Sequence, residues 1–230
     1  MKRNFVVAVT GASGAVYALR LVEVLRAAGC DVHLTISRAA VQVIRHELGL
    51  DVDLEDFDLA MLMLDKDRHG EDEKLDRIRG LAGISSESSN VLSFPTGKPG
   101  TIHYHHCDDL MAPIASGSFL TEGMVICPCS CGTLGAVVYG SSTNLIHRAA
   151  EVHLKERRPL VLVPRETPLS ITQLDNMRKA AQAGAVILPA MPGFYHGVAS
   201  VQDLVDFIVA RICDQFQIDH VLVKRWGGGE

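Results

Sequence analysis

The chain has 230 residues, with 47% hydrophobic and 21% charged, which suits one large domain with a sizeable core. A net charge of −5 gives no reason to expect nucleic acid as a partner, and the basic islands Lys155-Glu156-Arg157-Arg158 and Lys224-Arg225 suit a small anion better than a polyanion. No apolar stretch is long enough to span a membrane, and the run behind Met1-Lys2-Arg3 stops at Thr10-Gly11, too short for a signal-peptide core, so a cytoplasmic protein with six free cysteines is expected.

Strand-like and helix-like segments alternate along the chain. This predicts βαβ units and a Rossmann-like α/β fold, an open parallel sheet with helices on both faces, in a single domain over residues 1–230. Residues 5–9 form a continuous apolar run, as a strand covered on both faces should. A glycine turn follows, then a helix over 16–28 that Gly29 stops. Residues 32–36 read as a second strand and 39–48 as a second helix. Residues 51–100 are rich in charge, serine and glycine; a helical stretch is possible near 54–64, and a surface insertion is expected around 66–105. Regularity returns with a strand at 124–127, a helix over 144–156 and a strand at 160–163. Ser170-Ile171-Thr172-Gln173 has the form of a capping box and opens a helix to about residue 183. A strand at 185–188 and a helix from Ser200 to about Phe216 complete the pattern.

Strand, Thr10-Gly11-Ala12-Ser13-Gly14, helix is where an α/β sheet binds phosphate. Glycine lets the backbone approach a ligand, and a helix N-terminus offers N–H groups and a favourable dipole. The spacing is G-x-x-G, and Ser37-Arg38 stands where a dinucleotide fold usually places an acid, so a mononucleotide such as FMN fits better than NAD. A tight strand-to-helix turn with no ligand is the competing reading. Three more polar segments fall where strands should end: Ala115-Ser116-Gly117-Ser118, Pro128-Cys129-Ser130-Cys131-Gly132-Thr133 and Pro164-Arg165-Glu166-Thr167-Pro168. Ligands of open α/β sheets sit outside the carboxyl ends of strands, so these segments can converge there. Arg148 and Lys155 lie two turns apart on one helix face, either as solvated charges or, with Ala149, Ala150 and Val152 around Arg148, as holders of an anion.

Two patterns look metal-like. His103-Tyr104-His105-His106-Cys107-Asp108-Asp109 offers possible ligands without a recognised zinc spacing, and Cys127-Pro128-Cys129-Ser130-Cys131 is C-x-C-x-C where paired C-x-x-C would be needed. No metal is expected, and the thiols at 127–131 read as buried side chains beside a strand end.

The chain resembles the UbiX-like flavin prenyltransferases. The residues that carry the resemblance are Thr10-Gly11-Ala12-Ser13-Gly14, Ile36-Ser37-Arg38-Ala39-Ala40, Ala115-Ser116-Gly117-Ser118 and Pro128-Cys129-Ser130. They continue in the runs 144–152 and 154–168, of which the second is the most specific, then Pro192-Gly193-Phe194-Tyr195-His196 and Arg225-Trp226. The match spans nearly all of the chain outside residues 51–105. It implies transfer of a dimethylallyl group from dimethylallyl phosphate to reduced FMN at flavin N5 and C6, without a metal, and the product, prenylated FMN, serves a UbiD-type decarboxylase. It implies a homo-oligomer, a dodecamer, with sites shared between subunits. By the same resemblance Gly11, Ala12, Ser13, Ser37, Ser116, Ser130, Thr133 and Arg148 contact FMN. Lys155, Arg165, Tyr195 and Arg211 surround the prenyl phosphate, Glu47 and Glu166 handle protons, and Trp226 lies near the substrate. Leu110 stands where some relatives carry tryptophan, and the region 66–105 is longer than usual in the family. A flavin-dependent decarboxylase and a non-enzymatic FMN carrier are the alternatives; the Pro-Ala-Ser-Ala-Asn and Pro-x-Met-Asn segments of cysteine decarboxylases are absent from the sequence.

Overall fold

The apolar runs become the inner strands of a six-stranded, wholly parallel sheet in the computed structural model, which describes residues 3–62, 98–195 and 197–223. The strands are β1 (Asn4–Val9), β2 (Asp31–Ile36), β3 (Ile102–Tyr104), β4 (Gly123–Cys129), β5 (Leu160–Pro164) and β6 (Val186–Ile187). The helices among the described residues are α1 (Ala15–Ala27), α2 (Arg38–Leu48), α3 (Cys131–Tyr139), α4 (Leu145–Lys155), α5 (Ile171–Gln182) and α6 (Val201–Gln215). The strand order β3-β2-β1-β4-β5-β6 makes the chain reverse direction across the sheet between β1 and β4. A crevice therefore opens above the carboxyl ends of these two strands.

Side chains of β1 alternate between two cores, as the period of a strand requires. Phe5, Val7 and Val9 face one core with Leu21 and Leu25 of α1, Ile44 of α2, and Val209 and Ile212 of α6. Val6 and Ala8 face the other with Leu134 of α3, Ile146 and Ala149 of α4, and Ala180 of α5. Both faces of the central strands are thus covered, and each fully buried Val, Leu or Ile contributes roughly 1.5–3 kcal/mol. One buried ion pair crosses the first core: Arg20 Nε of α1 donates to Asp206 Oδ1 of α6 at 2.7 Å, and its Nη1 to Glu23 at 2.8 Å. Burial alone would lower the Arg20 pKa; the bonds to Asp206 and Glu23 outweigh it and leave the guanidinium more firmly charged than usual.

The capping boxes at Ser170 and Ser200 are both formed, and Asn144, Ser130 and Ser37 each accept a backbone N–H at the start of α4, α3 and α2. Three segments differ from expectation. Residues 54–64 were expected to include a helical stretch; the described part has only bends and the short 3-10 turn Leu59–Leu62. Strand β3 falls at the end of the expected insertion 66–105, whose residues 66–97 lie outside those described. Helix α3 follows β4 directly, in a segment expected only to be polar. The peptide bonds Cys127–Pro128 and Thr167–Pro168 are cis.

Candidate functional site

Thr10 fastens the two strands that border the crevice. Its hydroxyl donates to the Pro128 carbonyl at 2.7 Å and accepts from the Ser130 N–H at 2.8 Å. It is 2% exposed, so the end of β1 and the start of α3 are held at fixed spacing by one buried hydroxyl. In the sequence Thr10 stands only as part of the turn; its position at a strand end, just before glycine, is the signal for this role.

The glycine turn then runs along the rim. A Cβ on Gly11 would stand 2.6 Å from Ala39 Cβ, so only glycine lets this loop lie against the start of α2. The Ala12 N–H donates to the Thr10 carbonyl, while among the described residues nothing accepts from the N–H of Gly11 or Ser13. The next two donors are used differently from what the sequence suggested. The Gly14 N–H donates to both carboxylate oxygens of Glu47, at 3.1 and 2.9 Å, and the Ala15 N–H to Oε2 at 2.9 Å. Glu47, in the last turn of α2, thereby caps α1 and offsets its positive end. The free helix N-terminus expected for a phosphate is therefore reduced to the donors of Gly11 and Ser13.

Ser37 accepts the Ala40 N–H at 3.1 Å, which leaves its hydroxyl hydrogen able to donate outward. Ser130 accepts from the Thr133 N–H and donates to Thr133 Oγ1 at 3.0 Å, which passes the free hydroxyl hydrogen to Thr133. Both serines are cap residues as well as rim donors.

The segment from Ala115 to Thr121 lies along α4 and leads into the amino end of β4. It was expected at the carboxyl end of a strand, and the entry into β4 at Gly123 places it towards the other edge of the sheet from the crevice. Arg148 Nε donates to the Ala115 carbonyl at 3.1 Å, and its Nη1 reaches Glu151 at 3.1 Å. The Ser142 hydroxyl donates to Glu151 at 2.6 Å; this bond and Arg148 hold that carboxyl below its ordinary range. Ser116 and Ser118 share a hydrogen bond of 2.9 Å and are otherwise turned to solvent. Lys155 is paired with Glu156, beside Gly117, and that pairing pulls the Glu156 carboxyl down.

At the end of β5, Arg165 Nε is buried and has no hydrogen-bond partner among the described residues. Tyr17, in the first turn of α1, feels both Arg165 and Glu47: burial raises its phenol pKa, Cys127 and Glu47 push the same way, and Arg165 opposes them. Tyr17 is thus a rim aromatic that sequence reasoning missed, although its place in the first turn after the glycine loop was a signal. Glu166 is exposed and accepts from its neighbour's Thr167 N–H at 3.1 Å. The Cys131 thiol lies 3.8 Å from Glu166 Oε2 and accepts from Gln173 Nε2 at 3.0 Å; burial, set against the Gln173 bond, raises its pKa. Cys127 and Cys129 are fully buried, and burial raises both thiols well above their ordinary range.

The remaining candidates lie elsewhere. Tyr195 packs edge-on against Phe207 of α6, with centroids 5.8 Å apart, and Arg211 one turn further on pairs with Asp214 at 2.7 Å. Helix α6 covers the opposite face of the sheet from α4, so one chain does not bring Tyr195 and Arg211 together with Lys155. Trp226 lies outside the described residues. Of the metal-like segment, His106, Cys107 and Asp108 place ligand atoms within 4.8 Å of one another. The Arg38 guanidinium already neutralises Asp108 at 2.8 Å and leaves little attraction for a second cation. No described helix is long and apolar enough to cross a membrane.

A sequence model of the Flavoprotein family matches residues 1–213. The chain is 47% identical over 220 residues to the flavin prenyltransferase UbiX of Pseudomonas aeruginosa, covering 96% of this chain and 92% of that protein. A solved structure of AnUbiX in complex with FMN and dimethylallyl pyrophosphate matches with a TM-score of 0.76 at 35% identity, covering 100% of both chains. A dodecameric FMN-dependent UbiX-like decarboxylase from Escherichia coli O157:H7 matches with a TM-score of 0.74 at 33% identity, over 98% of this chain and 100% of that one. With a glycine turn at the switch point, a serine-lined rim and relatives of this identity along its whole length, the chain belongs to the flavoprotein family, among the UbiX flavin prenyltransferases.

Proposed function

We propose that this protein joins the dimethylallyl group of dimethylallyl phosphate to reduced FMN, at flavin N5 and C6, and that the prenylated FMN serves a UbiD-type decarboxylase. The observation that carries the reading is the switch-point crevice, where Arg165 at the end of β5 keeps a buried Nε with no partner among the described residues and acts on Tyr17 in the first turn after the glycine loop. The residues fit a mononucleotide: on the rim, the N–H groups of Gly11 and Ser13 and the hydroxyls of Ser37 and Thr133 are available to a phosphate and a polar ring edge, and Ser116 joins them from a neighbouring copy. Ala12 and Ser130 shape the same rim through backbone and cap bonds, and Arg148 holds the segment that carries Ser116.

Reduced flavin, when bound, supplies the nucleophilic N5 and C6. The work of the chain is to stabilise the leaving phosphate, because the carbon–oxygen bond of the substrate breaks with its electron pair on that phosphate. Arg165, with Lys155 of a neighbouring copy, supplies the positive charge, and Glu166 at the end of β5 takes part in the proton handling. Glu47 fixes the glycine turn and takes part in proton handling only if its bonds to Gly14 and Ala15 are released. Tyr195 and Arg211 meet Lys155 in the phosphate and prenyl pocket from different copies, since α6 and α4 lie on opposite faces of one sheet, and Trp226 is kept as the residue near the substrate that the resemblance implies. A homo-oligomer, dodecameric like the E. coli neighbour, is part of the proposal, and so is a cytoplasmic location. Met111, Leu120 and Phe194, exposed by 92%, 73% and 72%, supply apolar surface for such an assembly.

The test is anaerobic incubation with reduced FMN and dimethylallyl phosphate, followed by transfer of the extracted flavin to a UbiD-type decarboxylase prepared without its own. Activation of that enzyme is expected. Release of carbon dioxide from an acid by this protein itself, with the flavin unchanged, would favour the decarboxylase reading that the name of the E. coli neighbour suggests.

A further inference from the structure

Helix α4 ends in an unusual way. Arg157 takes the left-handed conformation, with φ of 54°, which an L-residue rarely adopts. The next N–H, of Arg158, turns back to donate to the His153 carbonyl at 2.8 Å. This aims the Arg158 guanidinium at the segment that leads into β4. Its Nη1 donates to the Phe119 carbonyl at 2.7 Å and its Nη2 to the Gly117 carbonyl at 2.5 Å. Both bonded groups of the guanidinium are carbonyls, and its charge also helps to hold down the nearby Glu156 carboxyl. The same helix end carries the Lys155–Glu156 pair, pressed against Gly117: a Cβ at Gly117 would overlap the Glu156 carboxylate and come within 2.9 Å of Lys155 Nζ.

We propose that Arg158 is a positioning residue for the prenyl transfer: its forked bonds to Gly117 and Phe119 set the distance between Ser116 and Ser118, which meet the flavin, and Lys155, which meets the leaving phosphate. The inference rests on the proposed function for the roles of those serines and of Lys155. The geometry itself comes from Arg158. A planar guanidinium spans two carbonyls two residues apart in one rigid piece, and a lysine ammonium, a single point of charge on a flexible stem, does not. Arg158 touches neither substrate, and it acts through the spacing of two loops. Gly117 completes the arrangement by leaving room for the Lys155–Glu156 pair at closest approach.

The experiment compares Arg158→Ala, Arg158→Lys and Gly117→Ala with the unaltered protein. The readouts are FMN affinity by flavin fluorescence, prenylation kcat and KM, and thermal midpoint. In Arg158→Ala, turnover should fall on the order of 10²-fold, the loss that a misplacement of about 1 Å can cause. FMN affinity should fall about tenfold, as expected for two lost bonds from a charged donor. Added guanidinium should restore part of the turnover of Arg158→Ala, whereas Arg158→Lys should stay impaired and gain nothing from it. Gly117→Ala displaces only the ends of flexible side chains, so it should fold normally, keep its FMN affinity and raise the KM for dimethylallyl phosphate. The proposal is overturned if folded Arg158→Ala, or Arg158→Lys where the alanine variant does not fold, keeps normal turnover and FMN affinity. It is also overturned if the variants lose stability with no guanidinium rescue and Gly117→Ala keeps its KM, which would make Arg158 a fold clamp alone. If the unaltered protein gives no prenylated flavin, the proposed function fails, and the FMN affinities of the variants still decide whether Arg158 positions the flavin segment.

Discussion

The glycine turn that borders the crevice and the loop that leads into β4 are fastened by opposite chemistry. On the β1 side, a carboxylate, Glu47, holds the N–H groups of Gly14 and Ala15. On the β4 side, guanidinium groups of Arg148 and Arg158 hold the carbonyls of Ala115, Gly117 and Phe119. The acid cancels the positive end of α1, whereas Arg158, bonded to carbonyls and sharing Glu156 with Lys155, keeps positive charge beside its loop. The comparison teaches that a helix N-terminus at a switch point is not by itself an anion site. Here the charge nearest the crevice is Arg165 at the carboxyl end of β5, and the glycine turn contributes shape and two backbone donors.

The largest effect should come from breaking the support behind the β1 side. Asp206→Ala leaves the buried Arg20 guanidinium without its main partner, and unfolding free energy should fall by about 3 kcal/mol in chemical denaturation. FMN affinity of the folded fraction should hardly change, because the β4 loop does not depend on that pair. Next, Arg165→Ala should cut turnover on the order of 10²-fold with little change in thermal midpoint, as for removal of one charge-stabilising donor. A matching drop in stability would mean that Arg165 belongs to the scaffold.

Acid should then separate the loops. His153 donates to or accepts from Thr121 at 2.8 Å, and His33 packs edge-on to Phe119, so both brace the β4 loop. Burial, above all, pushes each imidazole from an ordinary 6.5 down to about 4, with His105 and His103 adding to the shift at His33. The unfolded chain takes up protons near pH 6.5 that the folded chain refuses until about pH 4. Stability is therefore full above the upper value and is lost as pH falls through this window. The thermal midpoint should drop between these pH values, and His153→Gln should flatten the drop; an unchanged slope would show that the β4 loop is braced by other groups. The smallest effect is expected at Glu47→Gln, which keeps an oxygen for the N–H groups but loses the charge. It should cost about 1 kcal/mol of stability. Turnover should fall while FMN still binds, and unchanged turnover would leave Glu47 as a helix cap only.

The sheet was legible where burial on both faces forces continuous apolar runs, as in Phe5–Val9 and Leu160–Val163. Strand β3 was not, because Ile102-His103-Tyr104 is short, sits at the sheet edge and carries a histidine in its middle. Helix α3 was hidden by Gly132 and Gly135, poor helix formers, and it forms because Ser130 caps it and Leu134 and Val137 are buried. The polar ends of β1, β4 and β5 identified the crevice, whereas Ala115–Ser118 follows a 3-10 turn and leads into β4; the capping boxes identified the starts of α5 and α6. The roles of Glu47, Thr10 and Arg158 were beyond reach, because each depends on a partner far along the chain: Gly14, Pro128 and Gly117 respectively. Tyr195 and Arg211 were named as one site with Lys155, and only the placement of α6 and α4 on different faces shows that a single chain separates them.

The central claim is most directly tested by weighing the flavin. Purified protein should be mixed anaerobically with reduced FMN and dimethylallyl phosphate, and the extracted flavin examined by mass spectrometry. The account predicts a flavin heavier by one dimethylallyl unit, in amounts that grow with time. Flavin that stays bound and unmodified under these conditions would contradict it.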